Sequence, residues 1–129
     1  MLKLNAVGLF VTDMARSVAF YRDVFEMVTP WNGEANAELS SDGLSLILFG
    51  RDDFETMTNR RYTYPQRLNG TMEISFDCPN FAAVDQEYAR VVAAGAQPIF
   101  PPTTEPWGQR TCYVADPDGN LIEISSFQR

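Results

Sequence analysis

Ala6-Val7-Gly8-Leu9-Phe10-Val11-Thr12-Asp13 decides the fold, because the chain carries it twice. Glu73-Ile74-Ser75-Phe76-Asp77-Cys78-Pro79-Asn80 answers it, and a helical pattern follows each copy. A second pair agrees: Asp42-Gly43-Leu44-Ser45-Leu46-Ile47-Leu48 is matched by Asp118-Gly119-Asn120-Leu121-Ile122-Glu123-Ile124. Two copies of one strand–helix–strands unit therefore fill the chain. Two copies are too few, and the period too long, for a solenoid. The sequence predicts a paired-module α+β fold, β-α-β-β-β twice, within one domain over residues 1–129.

Outward from those anchors, residues 4–11 alternate around Val7, Leu9 and Val11 and predict a strand. Asp13 is placed to cap a helix over 14–26, whose apolar stripe is Val18, Tyr21, Val24 and Phe25. Residues 35–40 and 44–49 predict strands hinged at Asp42-Gly43, and close the first module near residue 50. Residues 51–70 have no clean period and read as a linker or a flap. The second module, 71–129, predicts a strand at 71–77 and a helix capped by Asn80 and stopped by Gly95. A short strand at 97–99 follows, then a stiff loop around Pro101, Pro102 and Pro106. Strands at 109–115 and 120–125 flank the Asp116-Pro117-Asp118-Gly119 turn.

Strand parity then sorts the side chains. Each helix needs a sheet face on which to bury its stripe. Val7, Leu9, Val11, Leu44, Leu46 and Leu48 are expected to face the first helix, and Ile74, Phe76, Ile122 and Ile124 the second. The opposite faces carry Ala6, Gly8, Phe10, Ser45, Ile47 and Phe49 in the first module, and Glu73, Ser75, Asp77, Leu121, Glu123 and Ser125 in the second. If the modules pair edge to edge, these helix-free faces form a cup.

Composition narrows the chemistry. A net charge of -7 argues against a nucleic-acid partner, which wants a basic face, and suits a soluble protein or one with a cationic ligand. No apolar run is long enough to span a bilayer and no leader pattern opens the chain, so no membrane partner is expected and the cytoplasm is the expected compartment. Cys78 and Cys112 are expected to be reduced. Histidine is absent, which removes Ser–His and Cys–His nucleophiles, an imidazole base and imidazole metal ligands.

The chain resembles the vicinal oxygen chelate superfamily, which includes glyoxalase I, bleomycin-resistance proteins and extradiol dioxygenases. The resemblance covers essentially the whole chain. It is carried by Val7-Gly8-Leu9 to Thr12-Asp13, by Ser17-Val18-Ala19-Phe20-Tyr21-Arg22-Asp23-Val24-Phe25, and by Ala94-Gly95-Ala96. Pro106-Trp107-Gly108 and Asp116-Pro117-Asp118-Gly119-Asn120-Leu121-Ile122-Glu123 complete it. Glu26 departs from the family pattern, which usually has a glycine closing the first helix. The resemblance implies paired βαβββ modules forming a curved mixed sheet around a ligand cup, helices outside, and association as a homodimer. In metal-dependent relatives four inward side chains, usually His, Glu or Gln, hold a divalent ion. Their positions carry over to Ala6, Ile47, Glu73 and Glu123.

Ala6 and Ile47 have no donor atoms, so no metal ligand and no cofactor is expected. Asp77 or Gln109 could add a donor, but nothing in the sequence requires either. Glu73 and Glu123 read three ways: polar lining of the cup, an anchor for an ammonium or guanidinium, or an acid–base pair if the protein is an enzyme. Phe10, Ile47 and Phe49 are the expected apolar wall, Asp77 a further acidic contact, and Trp107 and Trp31 candidates for stacking at the mouth. Core packing or dimer contact accounts for the aromatics equally well. Tyr62 and Tyr64 on the flap are weaker candidates. The function expected is metal-free binding of a small, partly aromatic molecule, with a cationic group compatible with the acidic wall. The alternative is a glyoxalase-type lyase or another small-molecule enzyme, with a reduced metal site or with Glu73 and Glu123 as acid and base.

Overall fold

A computed structural model describes residues 1–129, which divide into two compact units, Met1–Tyr64 and Pro65–Arg129. The first unit holds β1 (Ala6–Val11), α1 (Met14–Ala19) continued by a π-helical turn (Phe20–Val24), β2 (Asn36–Ser40), β3 (Ser45–Gly50) and α2 (Arg51–Thr58). Its sheet has the order β1-β3-β2, with β1 parallel and β2 antiparallel to β3. The second unit holds β4 (Asn69–Asp77), α3 (Phe81–Ala93), β5 (Gln97–Thr104), β6 (Arg110–Ala115) and β7 (Asn120–Ser126), in the order β4-β7-β6-β5.

The two units repeat one plan, as the sequence predicts, and the protein is α+β with βαβββ repeats. The first copy is abbreviated. Where the second has β5 beside β6, the first has only a bridge between Val28 and Ser40, closed by reciprocal N–H···O bonds of 2.8 and 2.9 Å.

Local chemistry sets the helix ends. The Asp13 carboxylate accepts from the Arg16 N–H at 3.1 Å, and the Asn80 side chain accepts from the Ala83 N–H at 2.9 Å, each satisfying an otherwise orphaned donor. Gly95 stops α3 with φ of +117°, a conformation open to glycine. The first helix ends differently. It widens into the π turn, which brings Phe20, Tyr21, Val24 and Phe25 all into the core. Glu26 then takes φ of +58°, a left-handed backbone in which a glutamate bears the strain.

Four expectations need correction. The segment 51–70, expected as a linker or flap without regular structure, contains a helix, Arg51–Thr58, with none of its residues buried, so it lacked the apolar stripe that would have revealed it. The loop expected after residue 99 is strand, since β5 runs to Thr104. It tolerates Pro98, Pro101 and Pro102 because it is an edge strand with two register irregularities. Leu44 lies ahead of β3 and is exposed rather than facing the helix. The first-module helix is α only to Ala19.

Parity otherwise holds. Leu9, Val11, Leu46 and Leu48 are buried, with Ala37 and Leu39 from β2 beside them, while Phe10 and Glu38 on the other face are exposed. In the second unit Ile122, Ile124, Cys112 and Val114 are buried with Val84 and Val91 of α3. Each fully buried Val, Leu or Ile contributes roughly 1.5–3 kcal/mol by removing apolar surface from water.

Candidate functional site

The helix-free face of each sheet is where functional side chains can stand. On the second sheet, register brings four strands' residues into a row: Ser75 pairs with Glu123, Glu123 with Tyr113, and Tyr113 with Phe100. Cross-strand partners share a face. Glu73 lies on β4 two residues before Ser75, so the same face carries it.

Glu123 is the centre of this row. Although it sits on the face without the helix, it is only 9% exposed. Three hydroxyls explain how a carboxylate survives there: Ser75 donates to Oε1 at 2.5 Å, Tyr113 to Oε2 at 3.0 Å, and Ser125 to Oε1 at 3.4 Å. The Tyr113 phenol is held protonated well above its ordinary range. Burial is the first cause, followed by its hydrogen bond to Glu123, the charge of Glu123, and the charge and hydrogen bonding of Glu73. Glu73 itself is exposed.

On the first sheet the equivalent position holds Ile47, flanked by Gly8 on β1 and Glu38 on β2 where Glu123 has Ser75 and Tyr113. Ala6 stands where the second copy has Glu73. Phe10 and Phe49 pair directly and are half-covered by Phe54 of α2.

The remaining predicted site residues are not drawn into either row. Asp77 is exposed at the end of β4. Trp31 is held in its own turn, its indole N–H donating to the Glu34 carbonyl at 2.8 Å. Trp107, 64% exposed, crowns the β5–β6 hairpin and donates to Gln109 Oε1 at 2.9 Å.

These residues do not fit a four-ligand metal centre. Ala6 and Ile47 offer no donor, the Glu123 oxygens already accept from three hydroxyls, and no three His, Cys, Asp or Glu side chains converge anywhere in the chain.

Sequence reasoning missed Tyr113 and Phe54. The first was findable. Cys112 and Val114 alternate around Tyr113, and the Asp116–Gly119 turn sets residue 113 opposite 123. Phe54 had no such signal, because it is the lone aromatic of a mostly polar helix whose other apolar residue, Met57, is exposed.

Comparison with known proteins agrees with this architecture. No curated protein matches the chain. Among solved structures, a glyoxalase-related enzyme from Fulvimarina pelagi shares 23% identity, with a TM-score of 0.82 over 98% of this chain and 88% of that one. A glyoxalase/bleomycin resistance protein/dioxygenase family enzyme from Burkholderia phytofirmans PsJN is 21% identical, with a TM-score of 0.85 over 98% and 99%. A lactoylglutathione lyase from Agrobacterium tumefaciens is 22% identical, with a TM-score of 0.75 over 96% and 92%. At such identities the likeness establishes the fold. The family comes from the sequence itself: residues 3–124 match the Glyoxalase/Bleomycin resistance protein/Dioxygenase superfamily, and the chain belongs to it.

Proposed function

We propose that this chain binds a small molecule without a divalent ion. Its ligand contacts the helix-free face of the second sheet through Glu73 and Tyr113, backed by Glu123. On the first sheet Phe10, Ile47 and Phe49 are the apolar ligand contacts we put forward, and Asp77, Trp31 and Trp107 are further candidates. One observation carries the reading: the Glu123 carboxylate, at a position relatives use for metal, has its oxygens engaged by Ser75, Tyr113 and Ser125. A carboxylate so engaged works as a fixed support. It orients Tyr113 and Ser75, and leaves Glu73 as the exposed charge for a cationic group on the ligand.

The test is native mass spectrometry of protein from its own host, followed by titration of any retained compound with and without chelator. Binding is expected to survive the chelator and to weaken in Glu73→Gln. Binding that disappears with chelator and returns with added ion refutes the reading. We also propose a cytosolic homodimer, because sheet edges tend to be covered; light scattering that gives the mass of one chain at micromolar concentration refutes it. No helix is long and apolar enough to cross a membrane.

A further inference from the structure

Helix α2 follows β3 directly, with Gly50, the last residue of the strand, as its N-cap, and it carries one large apolar side chain back toward the sheet. The Phe54 ring lies 4.3 Å from the ring of Phe10 and 5.4 Å from that of Phe49. The Tyr62 ring lies 5.3 Å from Phe54. These are the separations of stacked and edge-on aromatic pairs. Phe54 thus covers the two rings proposed above as apolar ligand contacts.

The helix holding it is lightly attached. None of its eight residues is buried. Its tethers are polar and near the surface: Arg51 Nε donates to the Phe10 carbonyl at 3.1 Å and the guanidinium lies 4.6 Å from the Tyr64 ring, while Tyr62 donates its N–H to Glu55 Oε2 at 3.1 Å and its hydroxyl to Thr58 Oγ1 at 2.9 Å. Elements with few buried apolar contacts open at low free-energy cost.

We infer that Phe54 is an internal stand-in for a ligand's aryl group, seated against Phe10 and Phe49, and that α2 is the lid that carries it. The inference rests on the binding function proposed above and adds the chemical class: the ligand brings an uncharged aromatic ring, which takes the place of Phe54. Competition between the two follows. While Phe54 is seated, the aryl subsite is available only in the minor, open state, and apparent affinity falls by that state's fraction.

The experiment uses the full chain and the uncharged fluorophore N-phenyl-1-naphthylamine, read by fluorescence. With the open state at a tenth or less of the population, Phe54→Ala is expected to bind it at least about tenfold more tightly than wild type. Adding Phe10→Ala to that variant is expected to erase the gain. Phe54→Ala that is folded by circular dichroism but binds no more tightly overturns the inference, as does a gain that survives Phe10→Ala.

Hydrogen exchange on the wild type gives an independent reading should Phe54→Ala fail to fold. Amides of Asp53–Thr58 are expected to exchange faster with saturating fluorophore, and unchanged or slower exchange overturns the lid. A natural ligand that binds equally well to wild type and Phe54→Ala sinks this inference alone. Loss of all small-molecule binding in both proteins sinks the underlying function with it.

Discussion

Gly119→Ala is the sharpest test of how the second unit is held together. Gly119 closes the turn before β7 at φ of +85°, and a Cβ there would stand 2.6 Å from the carbonyl carbon and oxygen of Arg67 and 2.7 Å from the Leu68 nitrogen. All three are backbone atoms, so no rotamer change relieves the clash. The 67–68 peptide must retreat by roughly 0.8 Å to reach ordinary contact. That retreat loosens the Asn69 N–H bond to the Gly119 carbonyl, 3.0 Å, at the start of β4. The left-handed backbone costs about 1 kcal/mol for an alanine, and overpacking against an unyielding neighbour adds roughly 1–3 kcal/mol. Near 4 °C of melting temperature per kcal/mol for a chain of this size, about 2–4 kcal/mol lowers Tm by roughly 8–16 °C. Gly108 supplies the control, since its φ of +91° is similar but nothing lies within 4 Å of the point a methyl group would occupy. Gly108→Ala should show only the backbone part, about 1 kcal/mol. Calorimetry on both variants decides the matter: if they melt within about 2 °C of each other, the close approach to Arg67 is not what fixes this glycine.

Tyr113→Phe removes one donor from the buried Glu123 carboxylate, and urea unfolding should show a loss of about 1–2 kcal/mol, discounted because the phenol is half-exposed. Glu73→Gln, at an exposed position, should leave the melting temperature unchanged, whereas Ile122→Asp puts an unpaired charge at a fully buried site and should abolish the cooperative transition; the reverse pattern refutes the strand register. Burial pushes the Cys112 thiol up to about 12, with the nearby Cys78 adding to the shift, so iodoacetamide at pH 8 should leave Cys112 unmodified in the folded protein and label it in urea. Because the unfolded thiol ionises near pH 9 while the folded one keeps its proton, stability should fall as pH rises from 9 toward 12, and Cys112→Ala should flatten that fall in a series of melting curves.

The doubled Ala6–Asp13 and Glu73–Asn80 segments made the repeat legible, because period-2 alternation and a side-chain cap are local signals. The same alternation put Glu73 and Glu123 on the helix-free face. It could not say that three hydroxyls, two of them from other strands, would gather around Glu123, since that depends on cross-strand register. Helix α2 stayed hidden for a different reason. Its residues bury no stripe, and its Asn59 terminus, with φ of +53°, closes it by a backbone conformation rather than by glycine or proline. The prolines of β5 misled because the rule against proline in strands concerns central strands, and edge position is a property of the sheet. Glu26 stood out in the sequence only as a departure from a helix-closing glycine, and its left-handed backbone, φ of +58°, came from the structure.

Strand order in the second sheet bears on how the chain is made. Synthesis delivers β4, α3, β5 and β6 before β7, yet β7 lies between β4 and β6. Until it emerges, β4 has no neighbour on which to form its ladder, and only the β5–β6 hairpin can close. The parallel pairing of β4 with β7 joins residues as distant as Asn69 and Asn120, so its loop-closure entropy is met before any ladder bond rewards it. The nascent second half therefore carries β4 as an open strand until β7 emerges, with Glu73 and Asp77 placing like charge along it, the kind of residue that disfavours pairing between chains.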